Sequence, residues 1–358
     1  MVPQRHHSEG SRHPRRRESL RLSLWNALSL RNKIPELESF VGDHLPHLLA
    51  ITETWLNTDT FDAEIALPSY HIVRKDRFRD RRGGGVLLYV SSALPFALVP
   101  LSPSCTHLST IDMIACVITL PSGPLVVITV YRSPTALPHE SDALLQECTR
   151  LSQLAPDCLL LGDFNCPGVD WVTGIAPVHS FGATLLSMAD DCLLHQVVSS
   201  PTRYRDGHDP SLLDLIFSKH PSLVRTVQVS SPLGRSDHAI VDMIYDVASP
   251  PHRRPLSQFR PNPHKMDLAL LQGMAQRIRW TLPHGTSIDH QWAFLGARIL
   301  QASSACVPLT SQRYASNKPY YTRRVKRATQ RRRRAWRLWA MSRTLESLQL
   351  LKHEQRRS

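Results

Sequence analysis

The stretch Leu160-Leu161-Gly162-Asp163-Phe164-Asn165 decides the reading of this chain. An apolar β-type run, Cys158–Gly162, ends on a glycine and passes at once to an acid and an amide. Ends of buried strands are where a rigid sheet presents side chains to a substrate. Asp163 is placed to ligate a cation or handle a proton, and Asn165 to position water or a phosphoryl oxygen. On its own the pair also suits a turn, where Asp and Asn are common.

Working outward, the same grammar recurs. Asn26 follows the strand Leu22–Trp25, and Glu53 closes the apolar run Leu48–Thr52. Tyr131-Arg132-Ser133-Pro134 ends the strand Leu125–Tyr131. Asp214 lies inside Leu212-Leu213-Asp214-Leu215-Ile216-Phe217, and an acid in an apolar run needs a partner. Ser236-Asp237-His238 precedes the strand Ala239–Tyr245 and offers a carboxylate beside an imidazole. An Asp–His pair fixes the ring tautomer and raises its basicity, so a His from another strand is a natural partner for Asp214.

Gly85–Val90, Met113–Thr119, Leu215–Phe217 and Thr226–Val229 complete the expected strands. Helices are expected at Lys33–Asp43, Ser141–Leu154 and Ala183–Asp191. Many strands with few interspersed helices point to a mixed α/β sandwich, not a doubly wound sheet. Gly83-Gly84-Gly85 lacks nucleotide-loop spacing and reads as a turn into a sheet.

The chain's 358 residues carry a net charge of +13, unevenly spread. Residues 1–21 hold six Arg and two Glu, and residues 313–358 hold fifteen Lys/Arg and two Glu. The body between them is therefore mildly acidic, at net −4. That excludes a uniformly basic nucleic-acid coat; acids in the body suit a hard cation, and basic ends suit a polyanion. No apolar stretch approaches the roughly 20 residues a membrane helix needs, and the Arg- and His-rich start has no secretory apolar region. Seven cysteines without a C-x-x-C pair read as reduced thiols, which disfavours zinc and fits a nuclear or cytoplasmic protein.

The expected organisation is a disordered basic tail (1–20), a catalytic body (21–246), a Pro-rich linker (247–264) with five prolines among Ser249–Pro263, and a helical basic segment (265–358). Arg323–Arg343 holds ten Lys/Arg and no acid, and the interleaved Trp336 and Trp339 favour nucleic-acid binding or a nuclear-import signal over a solvated helix.

Taken together, SLWNALSLRNKIPELE, AITETWL, RRGGGVLLYV, VVITVYRSP, LLLGDFNCPGVDW, SSPTR, LLDLIFS and RSDHAIV resemble, in order over roughly 22–245, the endonuclease/exonuclease/phosphatase superfamily. The resemblance is strongest to the apurinic-type endonuclease domain of jockey-like non-LTR retrotransposons. It implies a DNase I-like four-layer α/β/β/α sandwich, followed here by the mainly helical basic extension. It implies a metal-dependent DNA endonuclease. Glu53, Asp237 and Asn26 would hold Mg²⁺, with Mn²⁺ possible. Asp163 would orient or deprotonate water and Asn165 would hold it or the phosphate. His238, oriented by Asp214, and Tyr131 would contact the scissile phosphate. Arg77, with Arg79, Arg81 and Arg82 beside it, and Arg203 in Thr202-Arg203 would meet DNA.

Lys318-Pro319-Tyr320-Tyr321 and the run Arg331, Arg332, Arg333, Arg334 resemble the basic connector between endonuclease and reverse transcriptase, and would bind DNA or RNA. No polymerase motif follows, so a truncated reading frame is expected. The alternatives are a catalytically silent nucleic-acid-binding remnant and a phosphoesterase of the same fold acting on small or lipid phosphates. A chain ending near Asp246 is expected to keep nicking at low salt, with weaker binding and a shallower salt slope.

Overall fold

A computed structural model describes residues 18–77, 83–247, 259–261, 266–282, 285, 287–304, 306, 309–311 and 323–357. In chain order the body runs β1 (Glu18–Asn26), α1 (Ile34–His44), β2 (Leu48–Thr52), α2 (Asp62–Ile65), β3 (Tyr70–Lys75), β4 (Val86–Ser91), β5 (Phe96–Leu98) and α3 (Pro103–Thr106). It continues with β6 (Ile111–Leu120), β7 (Gly123–Arg132), α4 (Pro138–Ser152), β8 (Asp157–Asp163), α5 (Phe181–Asp191), β9 (His195–Gln196), β10 (Asp214–Ser218), β11 (Val224–Ser230) and β12 (Ile240–Val247).

These strands form two mixed six-stranded sheets, ordered β11-β12-β1-β2-β4-β3 and β5-β6-β7-β8-β10-β9. The central strands read as unbroken apolar runs because both of their faces are buried. In β7, Leu125, Val127 and Tyr131 face the core between the sheets, and Val126, Ile128 and Val130 face outward. That outer face is covered by α4 and α5, through residues such as Leu144, Cys148, Leu151 and Leu185. On the other sheet, Leu49 and Ile51 of β2 pack outward on Leu37 and Phe40 of α1. The layers are therefore helix, sheet, sheet, helix, as expected.

Most expected strands and helices lie within a few residues of the observed ones. β1 starts earlier than the expected strand: Glu18, Ser19 and Leu20 pair with Val247, Asp246 and Tyr245 of β12, so residues 18–20 belong to the sheet and not to a polar tail. Residues 1–17 lie outside the described residues, as does most of the expected linker. All seven cysteines are free and buried.

The chain divides into two compact units, residues 1–250 with 319–358, and residues 251–318. The second holds a short antiparallel pair, β13 (Phe259–Pro261) with β14 (Leu309–Ser311), and two helices, α6 (Leu268–Arg277) and α7 (Ile288–Ser304). Asp267 caps α6 by accepting from the Leu270 amide at 3.0 Å. The first unit ends in α8 (Arg323–Ser342) and α9 (Leu345–Arg357). Among the described residues, no helix is long and apolar enough to cross a membrane.

Candidate active site

Register brings the singled-out residues to one end of the sandwich. β1 and β2 run parallel, with Asn26 beside Thr52, so Glu53 leaves the sheet next to Asn26. β7 and β8 run parallel, with Tyr131 beside Asp163, while antiparallel β10 begins at Asp214 opposite Asp163. β12 begins at Ile240, which sets His238 just outside the first sheet. Asn26 joins the two sheets directly: its Nδ2 donates to Asp163 Oδ2 at 2.8 Å.

Asp214 and His238 are partners, with His238 Nδ1 and Asp214 Oδ2 at 2.7 Å and both side chains buried. One ligand atom each from Asp163, Asp214 and His238 fall within 4.8 Å of one another. Burial opposes charge on His238, but the Asp214 carboxylate outweighs it and raises the imidazole pKa to about 9. Burial, reinforced by the facing Asp214 charge, pushes the Asp163 carboxyl up to about 7. Asp163 Oδ1 accepts from the Asn165 amide at 3.0 Å. Asn165 sits at φ +46°, and its Nδ2 donates to the Arg132 carbonyl at 2.9 Å.

Glu53 lies opposite, also with left-handed backbone at φ +51°. Its Oε2 accepts from the Gly84 amide at 2.8 Å and from Trp55 Nε1 at 2.5 Å. Such strained non-glycine residues persist where surrounding structure fixes them, often at functional sites. The Tyr131 hydroxyl is bonded to Glu53, and burial together with the Glu53 and Asp163 charges raises its pKa. Gly83, Gly84 and Gly85 all have positive φ and form the expected turn into β4.

The Asp237 segment is tied to Arg203. Arg203 Nε donates to Asp237 Oδ2 at 3.1 Å, and His238 Nε2 lies 3.9 Å from Asp237 Oδ1. Thr202 accounts for two further buried donors: its Oγ1 accepts from the Leu213 and Asp214 amides at 3.2 and 3.0 Å. Thr202→Val keeps the shape but orphans both donors. Each orphaned buried group costs about 1–3 kcal/mol, so urea unfolding should show a loss of roughly 2–6 kcal/mol.

Two of the basic residues expected to meet nucleic acid have partners within the protein. Arg77 does not stand in solvent: it donates to Asp112 Oδ2 at 2.8 Å and to the Thr110 carbonyl, and its guanidinium lies 5.1 Å from the Tyr131 ring. Arg79, Arg81 and Arg82 lie outside the described residues. Arg332 is likewise buried, in a two-pronged ion pair with Glu36. Trp336 and Trp339 are also buried, against Tyr204, so neither presents a face to a base. On α8, Arg331 and Arg334 are exposed and Arg333 is partly so.

Asp112 was not singled out from the sequence. It is buried in β6, accepts from the Gly85 amide at 2.8 Å and holds Arg77 behind Tyr131. Its signal, an acid inside the apolar run Ile111–Leu120, is the one that marked Asp214.

The donor set suits a hard divalent cation. Glu53, Asp163, Asp214 and Asp237 bring carboxylate oxygens to one end of the sandwich, with Asn26 among them. Asp214 Oδ1 is buried without a hydrogen-bond partner, and burial of excess carboxylate charge favours a bound cation.

Residues 125–242 match the family model described as endonuclease-reverse transcriptase. The chain is 23% identical over 280 residues to the probable RNA-directed DNA polymerase from transposon X-element of Drosophila melanogaster, covering 75% of this chain and 28% of that protein. The AP endonuclease LMAP from Leishmania major is similar in structure, with a TM-score of 0.53, 14% identity and coverage of 69% of this chain and 93% of that one. The endonuclease domain of TRAS1, a telomere-specific non-LTR retrotransposon, gives a TM-score of 0.50 and 15% identity, covering 64% and 99%. The 3′ phosphatase NExo from Neisseria, solved with a product DNA hairpin, gives 0.51 and 18%, covering 64% and 100%. Those structures share the fold of this chain, residues 125–242 resemble the endonuclease-reverse transcriptase family, and the chain spans about a quarter of the length of the transposon relative it matches.

Proposed function

We propose that the chain is a Mg²⁺-dependent endonuclease that hydrolyses phosphodiester bonds of DNA, nicking a target as a retrotransposon endonuclease does. The observation that carries this is the buried Asp163, Asp214 and His238 cluster, closed by the 2.7 Å Asp214–His238 bond.

Asp163, with its carboxyl raised to about 7, is a base matched to neutral pH. It orients a water and takes its proton as the water oxygen attacks phosphorus in line with the departing oxygen. Asn165, fixed by Arg132 and Asp163, holds that water or a phosphate oxygen. His238, oriented by Asp214, donates to a phosphoryl oxygen, and the Tyr131 hydroxyl contacts the same group. These preorganised donors stabilise charge that grows in the transition state. Glu53 and Asp237, helped by Asn26, would hold Mg²⁺, or Mn²⁺; the ion would neutralise phosphate charge.

DNA contact on the surface falls to Arg203 beside Asp237 and to the outer face of α8. Arg324, Arg327, Arg331 and Arg334 follow helical spacing on that exposed face, with Arg337 next to them. Replacing Arg334 with alanine should weaken binding to any duplex and reduce the log–log salt slope by about 1, as removal of one phosphate contact requires. Filter binding between 50 and 200 mM salt measures this; an unchanged slope removes Arg334 from the interface.

An internally labelled duplex and an inositol phosphate, each incubated with Mg²⁺, test the substrate class. Internal strand breaks in the duplex support the proposal. Phosphate release from the inositol phosphate, with the duplex intact, favours a small-substrate phosphoesterase instead.

A further inference from the structure

We infer that the basic C-terminal helices α8 and α9 brace the Asp237–His238 segment, so that Arg332, Trp336 and Trp339 are positioning residues of the site. Residues 319–358 fall in the same compact unit as the sandwich. Their inner face is apolar: Ala335, Trp336, Trp339 and Leu351 bury against Ala239, with Tyr204 packed on the cluster. Ala239 directly follows His238.

Two independent tethers run from the helices to this segment. The first passes through the loop at 202–211. The Tyr204 ring meets Trp336 and Trp339 edge-on, with centroids at 5.3 and 6.3 Å. The Tyr204 amide donates to the Asp237 carbonyl at 2.8 Å, and the Ala239 amide donates to the Thr202 carbonyl at 2.7 Å. Arg203, between them, holds the Asp237 carboxylate. From α9 and the turn before it, Arg343 donates to the Arg205 and His208 carbonyls and Lys352 pairs with Asp206. The loop is thus held along its length.

The second tether enters from the other side. Arg332 grips both Glu36 oxygens, at 3.1 and 2.6 Å. Glu36 Oε2 also accepts from the Gly234 amide at 2.7 Å, two residues before Ser236. Ser236 Oγ in turn donates to the Asn26 carbonyl at 2.7 Å and accepts from the His238 amide. The segment that carries Asp237 and His238 is therefore pinned at both ends by groups that α8 holds. A chain ending near Asp246 would lack both tethers, which reverses the expectation that the basic tail supplies affinity alone.

The full-length chain with Trp339→Ala tests this, read by nicking kinetics on a short duplex and by hydrogen exchange. The expected result is a kcat about tenfold lower or more, with KM within about twofold, because small displacements of reacting groups cost rate before affinity. Exchange should quicken at the Tyr204 and Ala239 amides while β7 and β8 stay protected. Trp339→Phe should recover most of the rate, and Met341→Ala, on the exposed face, should change nothing. Should Trp339→Ala not fold, Arg332→Gln reads the second tether by the same measurements.

A raised KM with unchanged kcat and exchange would make the helices a DNA grip only and overturn the inference. Unchanged kinetics and exchange in both variants would overturn it as well. The kinetic half rests on the proposed nuclease activity, whereas the exchange half does not. A wild-type chain that nicks nothing would sink the activity and leave the brace readable.

Discussion

On the proposed activity, Asp163→Asn, Asp237→Ala and His238→Ala should each lower nicking of duplex DNA by about three orders of magnitude or more, because each would remove a water, phosphate or metal contact that strengthens in the transition state. Asp163→Asn carries a second signature. Its carboxyl is buried beside Asp214, and burial and repulsion together push its pKa up to about 7. An amide keeps the shape and relieves that repulsion, but its NH₂ must face either the Asn26 side-chain donor or the Asn165 amide, so one of those two bonds is lost. Thermal stability should therefore fall by no more than about 1–3 kcal/mol, the cost of one orphaned donor, while activity disappears. His238→Ala behaves differently, since it strands the buried Asp214 carboxylate that now pairs with it at 2.7 Å. That variant loses activity and stability together. Paired nicking assays and thermal melts separate the two patterns, and comparable nicking by all three variants would refute the assignment.

Gly162→Ala should be among the most damaging single substitutions in the body. Gly162 lies in β8 at φ +152°, one residue before Asp163, and a Cβ built there would fall 1.8 Å from the Val130 carbonyl oxygen of β7. The obstacle is backbone of a central strand, so no side-chain rotation relieves it. The strands must part where Tyr131 pairs with Asp163. A loss of more than about 4 kcal/mol is expected, in the range reserved for severe core defects. Little soluble folded protein, or a sharply lower urea midpoint, is the outcome to look for; a wild-type midpoint would contradict the packing.

The legibility of the site in the sequence has a physical cause. Glu53 and Asp163 stand at the ends of apolar runs and Asp214 inside one, and a charge there is either satisfied or functional. Register then gathers strand ends that sequence alone leaves apart. Asp112 carries the same signal as Asp214 and was passed over because no motif surrounds it. The Arg77–Asp112 pair is not legible because a paired arginine and a solvated one have the same local sequence; only the fold brings Asp112 to it across 35 positions. Arg332, Ala335, Trp336 and Trp339 do fall on one helical face, the spacing of a buried stripe. Ten basic residues hid that stripe by suggesting a nucleic-acid surface all round. The edge strands β3, β5 and β9 are not legible because they are partly exposed: β3 mixes polar and apolar residues, β5 is only Phe-Ala-Leu, and β9 has two residues. The overall layering was legible, since the doubly buried strands left long apolar runs with helical patterns between them.

The most direct test of the central claim is relaxation of supercoiled plasmid by the full-length chain, followed on a gel with Mg²⁺, with EDTA, and with Mg²⁺ and Asp163→Asn. The account predicts nicked circles with Mg²⁺ and intact supercoils in the other two lanes. Supercoils untouched by the wild-type chain with either Mg²⁺ or Mn²⁺, or equal nicking by wild type and Asp163→Asn, would contradict it.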